Sequence, residues 1–138
     1  MGSPDLKVTG INHVVLHVRD LDRSVRFYTE VLGFESRNIS AGAGQRMSFL
    51  RCGPQGLDLF EVSEDVHGGE EMNHMALEVA AQDLDAVVAG LAKEGVETSE
   101  RTDRNTVFIH DPDGHQIEML PLSARHRTAG RETARSSA

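Results

Sequence analysis

Two stretches of the chain open with the same phrase and then alternate between apolar and polar positions: residues 11–18 read INHVVLHV and residues 72–79 read MNHMALEV. A period of two predicts strands, because successive side chains leave opposite faces of a sheet. In the first, Val14, Leu16 and Val18 share one face and His13, Val15 and His17 the other; in the second, Met75, Leu77 and Val79 oppose His74, Ala76 and Glu78. One face of each strand suits packing under a helix. The other is more polar than a strand buried on both sides would be.

A helical period follows each phrase. Leu21, Val25, Tyr28 and Leu32 recur on one helix face, with Asp20 placed to cap the start and Gly33 to end it. Leu84, Val87, Val88 and Leu91 repeat the device between Asp83 and Gly95. Three short strand-like runs come after each helix, at 33–39, 46–52 and 56–62 and again at 96–100, 105–110 and 115–120, separated by turn formers such as SAGAG, GPQG and DPDG. Both halves therefore spell strand, helix and three strands. The offsets agree: His13 to His74 is 61 residues, Gly33 to Gly95 is 62 and Glu61 to Glu118 is 57, differences that loop insertions absorb. An internal duplication is the economical explanation, and the expected class is α+β, with two tandem βαβββ modules at 9–63 and 71–122 making one domain over 9–122.

Composition narrows the function classes. The chain has 138 residues with a formal net charge of -8, which argues against a nucleic-acid partner. No apolar run is long enough to span a bilayer, and the first ten residues lack the layout of a secretory signal, so a cytoplasmic location is expected. Residues 1–8 read as an N-terminal extension. The tail from 123 to 138 carries Arg125, Arg127, Arg131 and Arg135 against Glu132 and reads as mobile or loosely docked. Cys52, the single cysteine, sits in an apolar stretch and reads as a buried inert thiol.

The closing strand of each half carries a carboxylate within an apolar run, Glu61 in LDLFEV and Glu118 in HQIEML. Taken singly, each reads as a solvent-facing Glu, and a single strand His reads as a hydrogen-bonded structural residue. Together, under the repeat, His13 matches His74 and Glu61 matches Glu118. Two carboxylates brought together repel unless a cation neutralises them. Two nitrogens and two oxygens suit one divalent metal per site, Ni, Co, Zn, Mn or Fe, with positions left open for a substrate if the ion is six-coordinate.

HVVLHVRDLDRSVRFYTEVLGF resembles the opening motif of the vicinal oxygen chelate superfamily, and FIHDPDGHQIEML resembles its final metal-ligand strand. That superfamily includes glyoxalase I, fosfomycin-resistance transferases, methylmalonyl-CoA epimerase, extradiol dioxygenases and bleomycin-resistance binding proteins. The resemblance covers about residues 9 to 122 and implies the glyoxalase/bleomycin resistance/dioxygenase fold, a cupped mixed β-sheet built from two paired modules. It implies His13, His74 and Glu118 as shared metal ligands and Glu61 as the extra carboxylate of glyoxalase I; an epimerase would show Gln at that place. It also implies a homodimer with shared sites, one chain giving His13 and Glu61 and the other His74 and Glu118. In glyoxalase I an Arg and an Asn hold glutathione where this chain has His17 and Asp65, which counts against glutathione here. Phe108 stands where the dioxygenase motif has Tyr, and no His occurs from 101 to 108.

The leading expectation is a metal-dependent glyoxalase-like lyase or isomerase acting on a small molecule with adjacent oxygens, through an enediolate-type intermediate. Glu118 or Glu61 is the expected base, with His17, Phe49, Glu78 and Phe108 lining the substrate site. Two alternatives are a bleomycin-resistance-type protein that sequesters a small molecule without catalysis, and an Fe(II) extradiol-type dioxygenase. The acidic run EVSEDVHGGEE reads as a solvated linker whose Gly68-Gly69 pair could let a loop close, and His110 and His115 read as turn-exposed.

Overall fold

Leu16 and Val18, on the apolar face of the first strand, are buried to 4% and 0% exposure, and the elements after them close over that face. In the computed structural model the first unit, Met1–Val66, orders as β1 (His13–Val18), α1 (Leu21–Arg26), β2 (Glu35–Ser40), β3 (Met47–Cys52) and β4 (Gln55–Glu61). The structure describes residues 6, 10–40, 44, 46–80 and 83–121, without the side chains of 37–40. The Arg-containing tail and nearly all of the N-terminal extension lie outside the described residues. The sheet order is β1-β4-β3-β2, with β1 parallel to β4 and the other pairs antiparallel.

Asp20 caps α1 by accepting from the Arg23 N–H at 3.1 Å. The helix then widens into a π turn, Phe27–Val31, in which the Leu32 N–H donates to the Phe27 carbonyl at 3.2 Å. This widening moves Leu32 to a half-buried position. Tyr28 is fully buried, its ring edge-on to Phe27 and tilted against Phe34. Gly33, at φ +79, ends the element in the left-handed region that glycine reaches without strain. Under α1 lie Leu50, Leu57 and Leu59.

The second unit, His67–Ala138, orders as β5 (Met75–Val79), α2 (Leu84–Lys93), β6 (Val107–His110) and β7 (Gln116–Pro121). Its sheet order is β5-β7-β6, with β5 parallel to β7 and β6 antiparallel to it. Val107, Ile109, Ile117 and Met119 form the buried face, and Leu84 and Leu91 of α2 are buried as well.

Residues 96–100, expected as a strand, have no regular structure. The Ser99 N–H donates to the Phe108 carbonyl at 2.9 Å, but the Phe108 N–H is taken by Ser99 Oγ at 2.9 Å rather than by a backbone carbonyl. A side chain that substitutes for the backbone acceptor stops the ladder after one bond. His115 differs from expectation too: it is 7% exposed, and its N–H donates to Asp111 Oδ1 at 2.9 Å within the DPDG turn. Gly68 is pressed on that turn, since a Cβ there would lie 2.4 Å from the Gly114 carbonyl carbon. This part of the acidic segment is therefore pinned to its own unit and not a freely solvated linker. No helix among the described residues is long and apolar enough to cross a membrane.

Leu59 is fully buried beneath α1, so Leu59→Ala is expected to destabilise the protein by about 2–5 kcal/mol through lost burial and a residual cavity. The denaturant midpoint measures this, and an unchanged midpoint would contradict the described packing.

Candidate metal centre

In the first unit the face opposite α1 carries His13, Val15 and His17 on β1, paired in register with Gly56, Asp58 and Phe60 on β4. His13 Nε2 lies 3.6 Å from Asp58 Oδ2, and its Nδ1 is 2.8 Å from Asn12 Oδ1. The asparagine oxygen is placed to accept a proton carried on Nδ1, which leaves Nε2 directed at the carboxylate. Asp58 in turn pairs with Phe49 of β3. Gly56 makes room for this arrangement, because a Cβ there would meet His13 Cβ at 2.9 Å.

The second unit repeats the geometry. His74 Nδ1 is 2.8 Å from Asn73 Oδ1, and Nε2 is 3.7 Å from Glu118 Oε1. Ala76 pairs with Glu118, and Glu118 with Phe108, whose ring lies edge-on to His74 at 5.3 Å. Glu78 is opposite Leu120. The two carboxylates differ in support. Glu118 Oε2 accepts from Thr106 Oγ1 at 2.9 Å and lies 3.8 Å from Arg104, with its side chain 5% exposed. Asp58 is 14% exposed, and its polar contact among the described residues is with His13.

Glu61 occupies a different place from the one its spacing suggested. It is opposite Val18, in phase with the buried Leu57 and Leu59, so its side chain leaves the helix-facing side of the sheet. There Oε2 accepts from the Leu21 N–H at 2.8 Å and from Arg46 at 3.4 Å, and Asp22 beside Arg46 raises the guanidinium pKa further. The hollow lined by Glu61, Arg46 and Arg19 shares no residue with the one lined by His13 and Asp58. The register equivalent of Glu118 is thus Asp58: each stands opposite the residue two beyond its histidine. The offset carries the same signal, since Asp58 to Glu118 is 60 residues, against 61 for the histidines and 57 from Glu61. With Asp58 in this place, the residue four beyond it is Val62 and not Asp65. Asn12 and Asn73 were visible in both opening phrases, but alternation alone gives them no role.

A family model described as the Glyoxalase/Bleomycin resistance protein/Dioxygenase superfamily matches residues 10–119. The chain belongs to this superfamily. Lactoylglutathione lyase of Salmonella typhimurium is 29% identical over 130 residues, covering 86% of this chain and 96% of that one. The solved structure of the trypanothione-dependent glyoxalase I of Leishmania major superposes with a TM-score of 0.76 at 25% identity, covering 95% of this chain and 100% of that one. FosX, a fosfomycin resistance protein of Listeria monocytogenes solved with Mn(II) and a dihydroxypropylphosphonic acid, superposes with a TM-score of 0.72 at 19% identity, covering 86% and 98%. Relatives in the superfamily thus include lactoylglutathione lyases and a resistance protein solved with Mn(II), in the fold expected from the repeat.

The donor set fits a divalent cation. In each unit an imidazole nitrogen and a carboxylate oxygen face each other at 3.6 and 3.7 Å, two donor types that a divalent cation takes together. Among the described residues, no group of three or more His, Cys, Asp or Glu side chains gathers in one place, so each unit by itself offers a pair. Cys52 is no further donor of this kind, as burial pushes its thiol up and keeps it protonated.

Two substitutions separate these roles. Gly56→Ala is expected to displace His13 and weaken divalent-metal affinity on the order of tenfold, read by metal titration, with some loss of thermal stability because His13 Cβ moves only with its strand. Glu61→Ala is expected to leave that affinity unchanged and lower stability by about 1 kcal/mol through the lost cap on α1. The reverse outcome in either variant would reassign the residue.

Proposed function

We propose that His13, Asp58, His74 and Glu118 ligate one divalent metal ion per site, Ni, Co, Zn, Mn or Fe, and that the protein is a glyoxalase-like lyase or isomerase of a small molecule with adjacent oxygens. The observation that carries this reading is the duplicated Asn-His-carboxylate arrangement, with the same imidazole–asparagine contact at 2.8 Å in both units. A bound ion supplies Lewis acidity that polarises the adjacent oxygens of the substrate and makes the neighbouring C–H more acidic.

The chain's own residues then divide the work. Asn12 and Asn73 hold the imidazoles with Nδ1 protonated and Nε2 available. Glu118, buried and held by Thr106 and Arg104, is the fixed anchor. Asp58, with fewer restraints, is the carboxylate that takes the proton from the substrate carbon at its Oδ2 and returns it to the adjacent carbon, in place of the Glu61 base expected from spacing. Phe49 and Phe108, each in register with a carboxylate, form apolar walls that limit water. His17 and Glu78 occupy equivalent positions further along the same faces and contribute to substrate choice.

A homodimer with shared sites belongs to the same proposal, each site taking one pair from each chain. Its support is that β1 and β5 are edge strands of their sheets and that Ile11, Val14 and Val15 are exposed along β1.

Metal analysis of protein purified without a metal-binding tag tests this reading. One equivalent of bound or readily acquired divalent metal per chain is expected, with Glu118→Gln reducing affinity by at least about tenfold. Asp58→Asn is expected to retain more of the affinity than Glu118→Gln while losing isomerisation of α-hydroxycarbonyl substrates. Protein that takes up none of the five metals would sink the proposal and favour sequestration of a small molecule.

A further inference from the structure

The hollow beside His13 has a volume of about 350 Å³, and its lining runs past Gly56 to Arg51. His13, Gly56 and Arg51 form one row across β1, β4 and β3, through the register pairs His13↔Gly56 and Arg51↔Gly56. At about 4.8 Å between strands, the Arg51 backbone lies roughly 10 Å from that of His13. The glycine between them leaves the intervening floor without a side chain.

Arg51 is held in place by the hairpin that follows it. Cys52 pairs with Gln55, leaving Gly53 and Pro54 as a two-residue turn. Gly53 has φ +58, and the fixed negative φ of proline makes this a type II′ geometry. The Gly53 carbonyl accepts from Arg51 Nε at 2.9 Å. That bond engages one of the five N–H donors of a planar fork suited to bidentate binding of an oxyanion. Glu35 is the cross-strand neighbour on β2, yet among the described residues no ion pair joins it to Arg51. In a chain of net charge -8, with Asp58 in the same hollow, a pinned guanidinium is the group there that attracts an anion.

We propose that Arg51 is a subsite for an oxyanion, a phosphate-type group or a carboxylate, carried by the substrate a few bonds from its adjacent oxygens. This names the substrate class for the site and rests on reading His13 and Asp58 as metal ligands. Arg51 acts on binding and specificity, not on the bonds that change.

Calorimetric titration of the 138-residue chain with dihydroxyacetone phosphate and with dihydroxyacetone tests it, since the two share adjacent oxygens and differ in the phosphate. Each is measured with Mn(II) and again after chelation, with hydroxypyruvate as the carboxylate counterpart. The wild type is expected to bind at least one of the two anions at least about tenfold more tightly than dihydroxyacetone. Arg51→Ala is expected to erase that preference without altering affinity for dihydroxyacetone or Mn(II), and Arg51→Lys to restore part of it. A preference that survives in Arg51→Ala, or that the wild type lacks for both anions, overturns the subsite. Failure of the wild type to bind Mn(II) or any of the other four metals would overturn the metal reading instead, and the chelated protein would still report on Arg51.

Discussion

Parallel pairing of the first and last strand in each unit is the constraint on which the rest depends. In a parallel pair the register is fixed along the whole strand, so a histidine near the start of one and a carboxylate inside the other become neighbours only at one spacing. Both units meet it: the carboxylate lies opposite the residue two beyond the histidine. In the first unit α1 serves this pairing by covering the apolar face of Leu57 and Leu59, and in the second Ile117 and Met119 are buried on the corresponding face. Those flanking residues point the intervening Asp58 and Glu118 to the opposite side.

Within the common plan the two carboxylates are unequal. Glu118 is buried, and a buried anion is stable only with partners, which Thr106 and Arg104 provide. Asp58 is shorter, more exposed and less restrained. The residues beside the histidines differ as well, Gly56 in one unit and Gln116 one position before the Met75–Ile117 pair in the other. Duplication gives matched histidine–carboxylate pairs, and divergence of their neighbours gives one half with a buried carboxylate and one with an open floor.

Much of this was legible in the sequence because periodicity is a strong signal. The two helices, their Asp caps, their terminal glycines and the polar faces bearing His13 and His74 all follow from spacing alone. Two of the failures, at residues 96–100 and at His115, come from side chains competing with regular geometry. Ser99 Oγ displaced a backbone acceptor, and residues 96–100 did not become a strand. The π turn altered the position of Leu32. His115 was assigned to the surface because a turn is usually exposed, whereas Asp111 draws the backbone of this turn inward.

The case of Glu61 shows which sequence rule has priority when two conflict. Residue identity favoured a Glu to match Glu118, while strand parity favoured Asp58, which alternates with Leu57 and Leu59. Parity must prevail, since placing Glu61 beside His13 would turn those leucines to the polar face and expose the core. An ionised group left on the buried side needs a donor, and the open N-terminus of α1 supplies one through the Leu21 N–H. The same carboxylate chemistry therefore has two stable solutions in neighbouring positions of β4, a helix cap on one face and a pairing with histidine on the other. Which solution a residue adopts is decided by whether it falls in or out of phase with the apolar residues around it, before any ligand is considered.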